Sequence, residues 1–157
     1  MMRTEDVRKP SLFRKELVPW LIVPFAVVIL ILIVAGFAFQ NAIQLNARRT
    51  ILDDLNGLTG SYVVTVDGRT VDDGANLVPL LKGVHLVPAH HSQPTHPIRI
   101  RITERNNVVD LFLARDSERG DEYWVFGAPP DNQRSIGQNA GRIVDRRLTS
   151  YLQKWGL

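Results

Sequence analysis

The chain has 157 residues, with 19 Lys and Arg against 16 Asp and Glu, and no cysteine. The missing cysteine excludes disulfides and thiolate chemistry. From residue 17 on the balance is 14 cations (19 less the five before it) against 13 acids (16 less three), which gives no electrostatic case for nucleic acid.

Residues 1–16 read as a short basic tail with Arg3, Arg8, Lys9, Arg14 and Lys15. Residues 17–39 then run without one Lys, Arg, Asp, Glu or His. As a helix they reach about 34 Å, enough to cross a hydrocarbon layer of about 30 Å. Pro19 falls in the first turn, and Pro24 predicts a bend. A cleaved signal peptide is the rival reading, with Gly36-Phe37-Ala38 as a small-x-small site, but its apolar region would be unusually long. Only Arg48 and Arg49 follow the span closely. The cation excess therefore predicts a cytoplasmic N-terminus and an exported remainder. Nothing in the span ionises, which argues against a proton-coupled stator. No cysteine and no Asn-x-Ser/Thr sequon favour a bacterial inner membrane with the C-terminal domain in the periplasm.

Residues 40–58 keep a helical beat through Ala42, Leu45, Leu52, Leu55 and Leu58 until Gly57 and Gly60. This predicts an amphipathic stalk, which either pairs with a second copy as a homodimer or packs on its own domain.

Residues 59–157 predict the exported domain. Residues 61–66 favour a strand, and Asp67-Gly68 a tight hairpin turn. A short helix follows over residues 76–83, with Asp72 and Asp73 near its positive end. Residues 98–126 read as a three-stranded meander. An Asn106-Asn107 loop would place Ile102 opposite Leu111 and Ile100 opposite Leu113. A four-residue loop over 117–120 would place Leu113 opposite Trp124 and Leu111 opposite Phe126. An amphipathic helix is predicted from about residue 134 to 155, with Ile136, Ala140, Ile143, Val144, Leu148, Tyr151, Leu152 and Trp155 as its stripe. The fold class is thus α+β: a single N-terminal transmembrane helix, then a small antiparallel-sheet domain with a short helix and a C-terminal amphipathic helix.

Two candidate sites follow. On this register one sheet face mixes Arg99, Arg101, Thr103 and Asp110 with Val108, Phe112, Tyr123 and Val125. Arg with aromatics is the composition enriched at interface cores, so Arg101, Phe112, Tyr123 and Val125 are the candidate partner-binding residues, for an envelope protein. A helix of the same chain covering this face is the alternative. The second candidate is the histidine-rich stretch 85–96, where His90, His91 and His96 could hold zinc or copper or respond to pH, although the spacing matches no standard zinc pattern. No Walker loop, nucleophile elbow or paired catalytic carboxylates occur, so the expected role is a non-catalytic binding module.

Overall fold

The computed structural model describes residues 18–86, 91–128 and 137–155. The chain divides into two compact units, residues 1–39 and 40–157. Helix α1, Val18–Asn56, runs through both. In its first part the large apolar side chains from Ile22 to Phe39 are exposed. Among the described residues this is the one helix long and apolar enough to cross a membrane. Pro24 is accommodated inside it.

The second unit is built on a six-stranded sheet, ordered β2-β1-β3-β4-β5-β6, in which every neighbouring pair is antiparallel. The strands are β1 (Val63–Val66), β2 (Arg69–Val71), β3 (Pro94–Glu104), β4 (Asn107–Asp116), β5 (Glu122–Gly127) and β6 (Asn139–Val144). Helix α2 spans Gly74–Leu81 and α3 Arg146–Lys154. Asp67 (φ 48°) and Gly68 (φ 80°) turn β1 into β2, as Asp-Gly turns do when both central residues need positive φ.

Strand alternation sends Val64, Val66, Ile100, Ile102, Val109, Leu111, Leu113, Val125 and Ile143 to one face, where they are buried. The same core takes Leu77, Val78 and Leu81 of α2, and Leu148, Tyr151 and Leu152 of α3. It also takes Ile51, Leu55 and Leu58, so the end of the predicted stalk belongs to the domain core, while Ala42 and Leu45 of its stripe remain exposed. Glu104 fastens this end to the sheet, accepting hydrogen bonds from the backbone N–H groups of Thr59 and Gly60.

Four expectations are corrected. The β3–β4 turn uses Arg105 and Asn106, so Ile102 faces Val109 and Ile100 faces Leu111. Arg105 takes the positive φ (52°) expected of an Asn. That slip moves the pairing by two residues, and the core face survives it.

The β4–β5 loop has five residues, 117–121, rather than four. Asp116 explains the extra residue: its Oδ1 accepts from the N–H groups of Glu118 and Arg119 at 2.9 and 3.0 Å and shapes the loop. One added residue reverses a strand's faces. Leu113 therefore meets Val125, Tyr123 and Val125 turn into the core, and Trp124 and Phe126 turn out of it.

Residues 139–144 are a strand, not the first turns of a long helix. Pairing of Tyr123 with Ile143 and Trp124 with Arg142 extends the sheet. The helix begins only after Asp145, whose side chain caps Arg147 N–H at 2.8 Å. Arg134 and Ile136 of the predicted helix lie outside the described residues.

Finally, β3 starts at Pro94 rather than Ile98, with an irregularity between Thr95 and Ile98. His96 (φ 48°) and Pro97 sit in that break, where a missing ladder N–H is tolerated. Asp73 stands at the N-cap of α2, the positive end expected for it; its side chain makes no cap and pairs with Lys154 of α3 at 2.6 Å.

Candidate functional site

All three helices send their buried residues to one side of the sheet. The other face carries, row by row, Val63, Thr103 and Val108; Thr65, Arg101 and Asp110; Arg99, Phe112 and Phe126; Ala114, Trp124 and Arg142; and Asp116, Glu122 and Val144. The core residues of the helices pack against the opposite side, and on this face Ala114, Asp116, Glu122, Phe126 and Arg142 are nevertheless buried, so its open part is the end that carries Val63, Val108, Arg99 and Arg101.

Two ionic groups organise this face. In the first, Arg99 and Arg101, two residues apart on β3, converge on Asp110 of β4. Arg99 Nε reaches Oδ1 at 2.8 Å, and Arg101 Nη2 reaches Oδ2 at 2.7 Å. Burial raises the Asp110 pKa, but the two guanidiniums outweigh it and hold the carboxyl below its ordinary value. The Arg99 guanidinium also stands over the Phe112 ring, 5.8 Å from its centroid.

The second group is buried. Arg142 Nη1 donates to Glu122 Oε1 at 2.6 Å and lies 3.8 Å from Asp116 Oδ2. Asp116 Oδ2 accepts from the Ser92 hydroxyl and from Trp124 Nε1 at 3.0 Å. Burial works against the Asp116 charge, yet bonds from Ser92, from the Glu118 and Arg119 backbone and from Trp124 bring it down to about 2. The Ser92 hydroxyl thus donates to a carboxylate that stays ionised at neutral pH, inside a buried network shared with Trp124 and Arg142.

Of the sequence-derived candidates, Arg101 and Phe112 share the open face, with Asp110 beside Arg101 and Arg99 beside Phe112. Tyr123 and Val125 are on the core side, buried, and unavailable to a partner. Trp124, half-buried, takes the outward place assigned to them, while Phe126 on the same face is buried, its ring nearly parallel to that of Trp124 with centroids 6.3 Å apart. The Asp116-Ser117-Glu118 turn signature was the signal that would have given this phase. Arg142, read as a helix residue, could be placed only with the sheet itself in hand.

His85 bridges β6 through backbone bonds with Arg142 (both 2.9 Å), and its Nδ1 lies 3.0 Å from Gly83 O. His91 and His96 are exposed, and His90 lies outside the described residues. Among the described residues no three His, Cys, Asp or Glu side chains converge as a metal-binding group.

The fold and this face define a class: an α+β domain on a six-stranded antiparallel sheet, preceded by an apolar helix compatible with a membrane anchor. No protein-family model, curated protein or solved structure matches the chain significantly.

Proposed function

We propose that this protein is a non-catalytic, single-pass module of a bacterial inner membrane whose periplasmic domain binds an envelope protein, as an accessory, regulatory or inhibitory subunit. One observation carries the reading: the sheet face opposite the helices combines Arg99, Arg101, Phe112 and Trp124, and its end around Arg99 and Arg101 is open. Arginine and aromatic side chains are the residues that dominate binding energy at protein interfaces. The apolar part of α1 supports the tether, and the cations of the first 15 residues support the orientation.

Photo-crosslinking in the native membrane from position 103 tests the reading, with Arg101→Glu and Phe112→Asp as variants. A discrete adduct that both variants abolish, with melting unchanged, is the expected result. An adduct that survives both substitutions, or none at all, rejects it.

A further inference from the structure

We propose that the domain holds a further binding site, for a small primary ammonium ion, where residues 46–54 of α1 meet the end of β5, with Asp54 receiving the charge. This does not depend on the reading of the sheet face as partner-binding. A cavity of about 450 Å³ opens there. Pockets for small ligands commonly measure about 300–1,000 Å³. From α1 it is lined by Asn46, Ala47, Thr50, Ile51 and Asp54, whose spacing puts them on one side of the helix. Gly127, Ala128 and Gln138 form the wall across from them. Ala47, Ile51 and Ala128 thus give a short alkyl chain an apolar surface, and the polar groups stand around it.

Charge narrows the ligand class. Among the described residues the lining holds two carboxylates and neither Lys nor Arg. Asp110 is already met by Arg99 and Arg101. Asp54 is not: partial burial, and then the like charge of Asp53, raise the pKa of its carboxyl, and no cation works in the other direction. One helical turn away on α1 stand Thr50, Ile51, Gly57 and Leu58, none of them charged. A bound cation would offset both effects on Asp54. A primary ammonium carries three N–H donors. The Asp54 carboxylate takes one of them, and the amide oxygens of Asn46 and Gln138 are acceptors for the others. Thr50 Oγ1 donates to Asn46 O at 3.1 Å, so its lone pairs remain acceptors as well. Among the described residues no aromatic ring lines the cavity, and a quaternary ammonium group would find no ring face to lie on.

The test uses the full chain in nanodiscs and backbone amide NMR. The probes are butylammonium chloride, 1-butanol, tetramethylammonium chloride and magnesium chloride. Butylammonium should shift the Ala47, Thr50 and Gly127 signals and bind about tenfold more tightly than 1-butanol or tetramethylammonium. It should also move the Asp54 side-chain carboxyl titration, followed by carbon NMR, to lower pH. Asp54→Asn should erase the preference without lowering the melting temperature, since folding works against the charge it removes. Asp53→Asn, one residue away and outside the lining, should keep it. Equal binding of butylammonium and 1-butanol, tighter binding of tetramethylammonium or magnesium, or an unchanged preference in Asp54→Asn would overturn the proposal.

Discussion

Arg142 lies flat on Trp124, its guanidinium carbon 3.7 Å from the ring centroid, while Nη1 donates to the fully buried Glu122. One side chain thereby ties β6 to β5 through both a ring face and a carboxylate. Removing either group takes from the other its shortest charge partner in a site with almost no solvent, leaving Arg142 only the longer contact with Asp116 at 3.8 Å among its printed ion pairs and Glu122 that with Arg119 at 3.3 Å. Glu122→Gln and Arg142→Met should each destabilise the domain by about 3 kcal/mol, and the double variant by much less than their sum. Urea unfolding of the four proteins measures that coupling. Additive losses would show that the two groups act separately.

Acid stability should report Asp116. Its carboxyl titrates near 2 in the folded chain against 3.8 in the ordinary state, so folding favours the ionised form. That contribution is complete above about pH 4 and disappears as pH falls through 2, an amount of about 2 kcal/mol. Asp116→Asn should be less stable at pH 6 and show a flatter decline between pH 4 and 2. A wild-type melting temperature constant across that window would refute the assignment.

Gly141 joins β6 to the His85 bridge. Its φ is +133°, and a Cβ there would stand 2.5 Å from His85 O, a backbone atom that cannot swing aside. Gly141→Ala should cost about 2–3 kcal/mol, measured by thermal melting, because strain and a clash act together. Gly68→Ala has the positive φ without the clash and should cost about 1 kcal/mol.

Leu55 tests where the stalk belongs. It is completely buried in the core shared by the sheet and the other two helices. Leu55→Ala should destabilise the whole domain by about 2–5 kcal/mol, whereas Leu45→Ala, at an exposed position, should change stability by less than about 0.5 kcal/mol. Equal effects would place residue 55 outside the cooperative unit.

The anchor has its own test. The full chain should remain in the membrane pellet after alkaline carbonate washing. Replacing Leu30 and Ile33 with Arg should release a large fraction, since each charge near the middle of a span costs about 3 kcal/mol. Complete release of the wild-type chain would contradict an integral span.

The sequence by itself determined what depends on local composition and period: the long apolar helix, the Asp67-Gly68 hairpin, the short α2 and the isoleucine-leucine core face of β3 and β4. It also brought Arg101 and Phe112 to the open face, because a two-residue slip in the β3–β4 turn leaves the pleat unchanged. Tertiary structure alone decided the rest. The single residue that Asp116 adds to the next loop reversed β5, burying Tyr123 and Val125 and turning Trp124 outward. Residues 139–144 carry apolar spacing that suits a helix as well as a strand, and the open edge of β5 settled the choice. Periodicity fixes which residues share a face within one element, but the phase between elements is set by loop length and by long-range pairing, and neither is a local property of the chain.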